Sequence, residues 1–352
     1  MAHCARIYEI CSEEGRKKLP DTGNRKRRTM TAAGRTFDYY RSFITGYFYF
    51  NIAPKLHISR NQNAPYAGKH LISRQECSEL IQEKIRSNKP LMACRFGSDE
   101  LNVTAAGDAY INNISRDRIR KYHDKGQIYF SAGVFPENTD TLLRFSREMM
   151  ADCAEMDVVG VWYNTMEDYI IRNYGPKEAA LTDLSCLEPW YLPANPWSRA
   201  LKGKRVLVIS PFVKSIYSQY QRREEIFPGT EILPEFDLQL LKAVISGGGQ
   251  KDERFQDWFE ALDYMYEKAM EIGFDVAILG CASYGFPLAA RFKKAGKAAI
   301  QLGGATQLMF GIKGRRWDHH PYISTLFNDS WIRPSQEEHF ADFKMIDRGC
   351  YW

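Results

Sequence analysis

The sequence predicts an α/β protein: a Rossmann-like, mostly parallel sheet flanked by helices, preceded by a helical or irregular N-terminal extension. Short uncharged apolar runs alternate along the chain with longer amphipathic segments, which is the pattern of βαβ units. The runs are apolar at nearly every position, and this is typical of strands covered on both faces. Several runs stop at glycine or polar residues, and ligands bind at that edge of open parallel sheets.

The composition is that of a soluble globular chain. Of 352 residues, 44% are hydrophobic and 26% are charged, which is enough for a sizeable core. Aromatic residues make up 13%, and these serve either as stacking platforms for sugars or as core. The charge of +5 fits an anionic substrate or an anionic membrane surface without requiring either, and no nucleic-acid partner is expected. A homo-oligomer is compatible with these features.

The composition also predicts a cytoplasmic location, with peripheral attachment at the inner face of a membrane as an alternative. No stretch approaches a membrane span of about 20 apolar residues, and the N-terminus lacks the apolar core of a signal peptide. The eight cysteines are scattered, without a CxxC pair or a zinc-type spacing to histidine. We therefore expect reduced thiols, as in cytosolic proteins.

The N-terminal extension is predicted to cover residues 1–72. Residues 1–36 are polar and basic, with clusters at 16–18 and 25–28, and indicate a loosely ordered arm. This arm is either a solvated tail or an electrostatic contact to anionic lipid. Residues 37–50 are dense in aromatics, which suit a membrane interface or a helix packed on the domain. Residues 51–72 are predicted as a loop.

The catalytic domain is predicted over residues 73–336, and it is organised around a strand over residues 91–94. A helix over 74–88 leads to this strand, with Ser73 as N-cap and Glu76 as its capping-box partner. The strand stops at the segment Arg-Phe-Gly-Ser-Asp-Glu, residues 95–100. Its two acids either begin a helix, where the helix dipole favours them, or form a ligand site, since carboxylates suit Mg²⁺ or Mn²⁺.

The elements that follow alternate as the fold class requires. Polar residues Asn164 and Glu167 follow one of the strands, and residues 176–200 are Pro-rich and form the candidate linker. An interrupted helix is predicted over 101–124, with breaks at Gly107 and at 112–113. Strands are predicted over 127–135, 157–163, 205–210, 274–279 and 297–302, and another within 232–244. Helices are predicted over 139–153, 254–272, 286–295 and 305–310, and one more after residue 215 that runs toward 227. Residues 337–352 are predicted as a C-terminal tail.

Three junctions between a strand and a helix are candidate anion sites. At the first, Ser210, Lys214 and Ser215 lie where helix N–H groups could hold an anion. The second is a glycine-containing turn that either binds phosphate or serves packing; its residues are Gly280, Ser283, Tyr284 and Gly285. It matches neither a dinucleotide fingerprint nor a Walker A loop.

The third candidate site joins two glycines to a group of cations. Gly303 and Gly304 end a predicted strand, and Lys313, Arg315 and Arg316 follow about ten residues on. Cations near this edge can neutralise a diphosphate leaving group. The alternative is a basic surface turn.

Two segments resemble a known family. Residues 95–100 resemble the Arg-Phe-Gly-Asp-Gly-Glu signature of the GT-D glycosyltransferases. The long segment 303–318 resembles one found in related bacterial polysaccharide-biosynthesis proteins, and residues 331–335 resemble their C-terminal end. The similarity spans residues 74–336 in order and spacing.

This resemblance implies transfer of a sugar from a nucleotide sugar, a UDP-sugar, to a glycan or lipid-linked glycan in surface polysaccharide biosynthesis. It implies Arg95, Asp99 and Glu100 as catalytic residues, and Gly97 and Ser98 at the nucleotide diphosphate. It also implies a divalent metal, Mn²⁺ or Mg²⁺, held by Asp99 and Glu100. Ser98 stands where the family has its first acid, so either Asp99 replaces that ligand, or Glu100 acts alone, or no metal is needed.

Two points stay open in the sequence. The base for an acceptor hydroxyl could be Asp99, Glu100, Glu167 or Asp237. The same scaffold could also serve a pyruvyl or phosphoryl transferase acting on polysaccharide, or a non-catalytic glycan-assembly protein. Donor sugar, linkage and stereochemical outcome are undetermined by these motifs.

Overall fold

The protein forms one open, all-parallel sheet of eight strands in the order β1-β4-β3-β2-β8-β7-β5-β6. The computed structural model describes residues 30–61, 64–248, 251–339 and 349–352. The strands are β1 (Leu71–Ile72), β2 (Leu91–Cys94), β3 (Val158–Val161), β4 (Ala180–Asp183), β5 (Arg205–Ser210), β6 (Asp237–Lys242), β7 (Val276–Leu279) and β8 (Ala298–Gln301). The predicted Rossmann-like α/β class is confirmed.

The predicted central strand lies in the middle of this sheet. All four residues of β2 are buried, and β2 pairs in parallel with β3 on one side and β8 on the other. Its apolar run needs no polar alternation because helices cover both faces. The predicted strands at 157–163, 205–210, 274–279 and 297–302 are confirmed as β3, β5, β7 and β8, and the strand predicted within 232–244 is β6.

Twelve α-helices occur in the described part of the chain, and they pack on the two faces of the sheet. They are α1 (Ala32–Tyr47), α2 (Arg74–Arg86), α3 (Ser98–Ile111), α4 (Asp117–Lys125), α5 (Gln127–Ala132), α6 (Thr139–Asp152), α7 (Glu167–Tyr174), α8 (Val213–Tyr220), α9 (Arg223–Ile226), α10 (Trp258–Ile272), α11 (Gly285–Lys294) and α12 (Thr306–Met309). One apolar core contains residues of α3, α6, α10 and α11, and the other contains residues of α2, α8 and α12.

The predicted start of α2 is confirmed at the level of individual hydrogen bonds. The Ser73 hydroxyl accepts from the Glu76 backbone N–H, and the Glu76 carboxylate accepts from the Ser73 N–H. This capping box satisfies backbone donors that the first turn leaves unpaired.

The interruption predicted at Gly107 is wrong, because α3 runs through it. A Cβ at Gly107 would lie 2.2 Å from Oγ of Ser146 on α6, so glycine lets the two helices approach closely. The break predicted at 112–113 is confirmed, since α3 ends at Ile111.

The strand predicted over 127–135 is wrong: residues 127–132 form helix α5. Ile128 and Ala132 are both buried, and a spacing of four residues places them on one helix face. Gly126 and Gly133 have φ of +56° and +74°, and these left-handed residues bound the short helix at both ends.

Two strands lie where the sequence indicated loop or linker. The edge strand β1 lies within residues 51–72, where the loop prediction is wrong for Leu71–Ile72, and β4 lies within the Pro-rich residues 176–200, between β1 and β3. The polar Thr and Asp in β4 (Ala-Leu-Thr-Asp) weaken the signal of a buried strand. The Pro-rich segment therefore belongs to the sheet rather than connecting two domains.

The extension contains a helix that packs on the domain. Helix α1 begins at Ala32, with the Thr31 side chain capping it, so the loose arm predicted to residue 36 does not extend that far. Arg35 pairs with the buried Asp108 of α3 at 3.1 Å, and Asp38 pairs with Arg172 of α7 at 2.8 Å. The arm's residues 1–29 lie outside the described residues.

In the part of the chain that the structure describes, no helix is long and apolar enough to cross a membrane. Five buried cysteines take part in no disulfide, and these are Cys77, Cys94, Cys153, Cys186 and Cys281. Burial raises the pKa of the Cys77 and Cys281 thiols to about 12, so they pack as small apolar groups.

Candidate functional site

The candidate site lies at the carboxyl edge of the sheet, between β2 and β8. The chain leaves β2 through α3, whose Leu101 belongs to one apolar core, and leaves β8 through α12, whose Leu308 belongs to the other. Neighbouring strands whose connections depart to opposite faces leave a crevice between them, which is where open α/β sheets bind ligands.

Arg95 is the first residue after β2 and lies across this crevice. Its backbone N–H donates to Oε1 of Gln301, the last residue of β8, at 3.2 Å. Its guanidinium covers Gly303, where a Cβ would lie 1.8 Å from Nη2 of Arg95. Gly303 has φ of +61°, so both its conformation and its neighbour require glycine. Two segments singled out in the sequence, 95–100 and 303–318, therefore meet at one contact.

The Arg95 guanidinium keeps most of its hydrogen-bonding capacity. Its described side-chain hydrogen bond goes from Nη1 to the Phe96 carbonyl at a long 3.4 Å. Among the described residues, no carboxylate lies within ion-pair distance of it. Its Cζ lies 5.6 Å from the ring centre of Trp162. A guanidinium has five N–H donors, so Arg95 can still bind an oxyanion.

The opposite wall of the crevice comes from the residues after β3. The Trp162 indole N–H donates to the Phe96 carbonyl at 2.9 Å, which ties the ends of β2 and β3 together. Oδ1 of Asn164 accepts from the Ser98 hydroxyl at 3.3 Å. Nδ2 of Asn164 is buried and has no hydrogen-bond partner. A buried amide donor without a partner is costly, and a ligand oxygen would satisfy it.

The two acids of the motif begin α3 but are engaged by the protein. Asp99 accepts from Nε2 of Gln127 at 2.8 Å and from Oγ of Ser131 at 2.5 Å. The Glu100 carboxylate folds back over Gly97, where a Cβ would lie 1.9 Å from its Oε2. The helix-start interpretation of this segment is therefore confirmed.

The metal site that the family resemblance implies would depend on Asp99 and Glu100, with Ser98 in the family's first acid position. Asp99 accepts hydrogen bonds from Gln127 and Ser131 of α5, whereas the Glu100 carboxylate lies over Gly97. No group of three or more His, Cys, Asp or Glu side chains that could hold a metal ion occurs in the described ranges. Metal binding by Asp99 and Glu100 stays a prediction, and no chemical step is assigned to a metal.

A third carboxyl, Glu188, lies close to the crevice. It follows β4, and burial raises its pKa to about 7, while the positive charges of Arg95 and Arg316 oppose that rise. Arg316 donates to the Tyr351 hydroxyl at 2.6 Å. The Tyr351 ring covers Gly304, where a Cβ would lie 2.2 Å from a ring carbon. Arg316 and Gly304 therefore belong to the same region as Arg95.

Two candidate bases are poorly placed for reaction with a substrate. Asp237 is the first residue of β6, so it lies at the amino edge of a parallel sheet, opposite to the crevice. Glu167 is fully buried. Its Oε2 accepts from the Tyr66 hydroxyl and the Tyr163 N–H at 3.1 and 2.8 Å, and burial raises its pKa to about 8. Glu167 holds the loop after β3.

The predicted anion site at the start of α8 contains an anion from the chain itself. Oε1 of Glu338 accepts from the Lys214 and Ser215 backbone N–H groups at 2.7 and 3.2 Å, and its Oε2 accepts from the Ser215 hydroxyl. Lys214 pairs through Nζ with Glu337, and the Ser210 hydroxyl accepts from the Phe212 N–H. The backbone N–H groups at this helix N-terminus do bind an anion, but that anion is the Glu338 carboxylate.

The predicted phosphate turn after β7 is packed into the core. Ser283 donates to the Ala132 carbonyl at 2.6 Å, and the Tyr284 hydroxyl lies 2.8 Å from that of Ser246. A Cβ at Gly280 would lie 2.7 Å from Thr306, and one at Gly285 would lie 3.1 Å from Gln301. These contacts correspond to the packing alternative for the turn.

The remaining predicted cations lie further out. Lys313 is half-buried, with Nζ 5.7 Å from the Phe327 ring, and Arg315 is exposed. The structure thus brings together Arg95, Gly97, Ser98, Gly303, Gly304 and Arg316, and places the α8 group elsewhere.

Sequence reasoning missed Trp162 and Glu188 as site residues. Trp162 was included in the predicted strand 157–163, although β3 ends one residue earlier. Glu188 lies in the segment interpreted as a linker. A tryptophan at a strand end and an acid shortly after a strand are weak signals of a site, because the local sequence does not predict which distant residues they contact.

Comparison with known proteins gives one structural likeness. No protein-family model matches the sequence, and no curated protein matches it. A solved structure described as a selenomethionine-substituted domain of unknown function 1792 is similar with 12% identity and a TM-score of 0.38, covering 76% of this chain and 96% of that one. The fold assignment depends on the strand order and not on this likeness.

Proposed function

We propose that this protein is a glycosyltransferase that moves a sugar from a nucleotide sugar, a UDP-sugar, to a glycan or lipid-linked glycan acceptor in polysaccharide biosynthesis. The observation that carries the proposal is the contact of Arg95 with Gly303 across the β2–β8 crevice. It places a cation with unused donors where parallel sheets bind ligands. The motif resemblance of residues 95–100 and 303–318 supports the choice of reaction.

The leaving group sets the main chemical demand. When the acceptor oxygen bonds to the anomeric carbon, the bond from that carbon to the diphosphate breaks, and the electron pair stays on the diphosphate. Arg95 can stabilise that charge through bidentate hydrogen bonds, which suit phosphate oxygens. The unpaired Nδ2 of Asn164 is a neutral donor in the same crevice.

The acceptor proton needs a base near neutral pH. Glu188 is the best-suited carboxyl, because its pKa of about 7 combines a useful ionised fraction with a useful basicity. The influence of the Arg95 and Arg316 charges on its pKa supports a position near the proposed diphosphate. Asp99 and Glu100 lie at the same edge but are engaged by protein groups.

The test is a binding and turnover screen with UDP-, GDP- and CMP-sugars, with Mn²⁺ or EDTA, on the full chain and on Arg95→Gln. A ligand that binds the native state alone raises the melting temperature. We expect one UDP-sugar to raise it in the wild-type protein and not in the variant, and the sugar to be released or transferred. A shift abolished by EDTA would support the metal prediction.

The alternatives give different outcomes in the same screen. A pyruvyl or phosphoryl transferase would ignore every nucleotide sugar and respond to its own donor. A non-catalytic assembly protein would show no turnover with any donor. Either outcome would overturn the proposal.

A further inference from the structure

Helix α1 has two faces of different chemistry. The inner face packs on the domain: Arg35 and Asp38 form the ion pairs with α3 and α7, Tyr39 is fully buried, and a Cβ at Gly46 would lie 2.9 Å from the Thr165 backbone. These contacts fix the orientation of the helix on the domain. They also determine which residues point away from it.

The outer face of α1 consists of Phe37, Tyr40, Ile44 and Tyr47. Their side chains are 71, 39, 64 and 50% exposed. At 3.6 residues per turn they fall within an arc of about 80°. Four large apolar side chains aligned on one exposed face are unusual for a helix that is otherwise well packed, because a surface helix normally turns polar residues outward.

Further exposed apolar residues follow directly after the helix. Ile52 and Leu56, on the helical turns that continue α1, and Ile58 just after them are each at least 40% exposed. Lys55 lies among them and is exposed. The apolar surface therefore extends beyond α1 and carries a cation within it.

The charge distribution indicates what covers this surface. Residues 1–60 contain twelve Lys or Arg and five Asp or Glu, a surplus of seven positive charges, whereas the whole chain carries +5. Four of these cations, residues 25–28, immediately precede the helix. A second copy of this segment would bring another surplus of seven positive charges, which opposes dimerisation through the face.

We propose that the outer face of α1 lies on the surface of an anionic lipid bilayer. Aromatic and aliphatic side chains insert at the level of the headgroups, and the surplus of basic residues is attracted to anionic lipid. The surface is too short and too polar on its inner side to span the membrane. This inference does not depend on the proposed reaction, because vesicle binding is measured without substrate.

The experiment is co-sedimentation of the full chain with vesicles of phosphatidylcholine alone or with about a third phosphatidylglycerol. The variant is Phe37→Ser with Ile44→Ser. The matched control is Tyr217→Ser on α8, which is 61% exposed but lies outside this face. Melting temperatures should agree among the three proteins, because none of the replaced side chains is buried.

We expect binding to the anionic vesicles, weakening as NaCl is raised. The double variant should bind about 100-fold more weakly, since each inserted large side chain contributes about tenfold or more, and the control should bind as the wild type does. Absence of binding to anionic vesicles, or equal binding by the double variant, would overturn the proposal. So would a lipid-free dimer that the double variant abolishes, since the second copy would then be the occupant.

Discussion

The β2–β8 crevice and the start of α8 have similar local sequences, but among the described residues the chain supplies a carboxylate partner only at α8. Each follows a buried strand with a cation and a serine, Arg95 with Ser98 and Lys214 with Ser215. At α8 the carboxylate of Glu338 takes the backbone donors, and Glu337 pairs with Lys214. In the crevice, no described carboxylate lies within ion-pair distance of Arg95.

This difference shows that an anion-binding sequence pattern does not predict whether the anion is a side chain of the protein or a ligand. A helix N-terminus or an arginine favours negative charge in either case. When the chain supplies that charge from more than a hundred residues away, the pattern contributes stability. When it does not, the same pattern is available to a ligand. Substitutions at the two places should therefore separate activity from stability.

The largest expected effect is the loss of turnover in Arg95→Gln. Removing one preorganised donor to a developing negative charge lowers kcat by about 10²- to 10³-fold. The melting temperature should stay close to that of the wild type, because Arg95 makes no strong contact within the described chain. Nucleotide-sugar turnover and thermal melting measure the two effects, and Arg116→Gln, at an exposed position, is the control. Full activity in Arg95→Gln would remove the crevice from consideration as the site.

Replacing Glu188 should alter the dependence of the rate on pH. If Glu188 is the base, the wild-type rate rises as the pH increases through about 7, because only the ionised carboxylate accepts the proton. Glu188→Gln should lower kcat by about 10²-fold and flatten that rise. Glu178→Gln, at an exposed position, should retain the wild-type profile. An unchanged profile in Glu188→Gln would assign the base to another carboxyl.

The contact between the two motif segments is tested by Gly303→Ala. The new Cβ would collide with Arg95, and φ of +61° disfavours alanine. We expect a loss of about 1–2 kcal/mol in stability together with a loss of turnover comparable to that of Arg95→Gln. Gly296→Ala is the matched control, since Gly296 has φ of +80° and no atom within 4 Å of a Cβ. If both variants keep full turnover, the position of Arg95 is unimportant.

At α8 the expected loss is one of stability. Glu338→Ala removes the acceptor for two backbone N–H groups and the Ser215 hydroxyl, which should lower the free energy of unfolding by about 2 kcal/mol. The neighbouring Glu337→Ala removes an exposed pair and should change it by less than about 1 kcal/mol. Inorganic phosphate should partly restore the melting temperature of Glu338→Ala by occupying the vacated position. Lost turnover with an unchanged melting temperature would instead place α8 in the site.

The smallest expected effect on turnover comes from the buried Glu167, whose replacement should change how stability depends on pH. Its folded-state pKa of about 8 lies above the usual value, so the unfolded chain loses this proton first as pH rises. The contribution of Glu167 is therefore fully present below about pH 4.5 and decreases up to pH 8. Relative to the wild type, Glu167→Gln should gain about 3–4 kcal/mol between pH 5 and pH 8. A stability difference that does not vary with pH would show that Glu167 is ionised in the folded protein.

The sequence by itself determined the α/β class, the central strand, most of the helices and the two segments that meet in the crevice. These features are local, because an apolar run, a capping box or a glycine beside polar residues predicts the structure of its own segment. Where the local signal was short or mixed, it failed. Residues 127–132 were interpreted as a strand, and β4 was hidden in a Pro-rich stretch because half of its residues are polar.

Only the tertiary structure decided which candidate residues act together. Arg95 and Gly303 are more than two hundred positions apart, and the parallel pairing of β2 with β8 makes them neighbours. Glu338 lies more than a hundred positions from α8 and Tyr351 lies 47 positions from Gly304, and no local pattern encodes either contact. The turn at 280–285 has a typical ligand-binding spacing but is packed into the core. Burial and hydrogen-bond partners are properties of the folded chain, so they distinguish groups satisfied by the chain from groups available to a ligand only after the strands have been ordered.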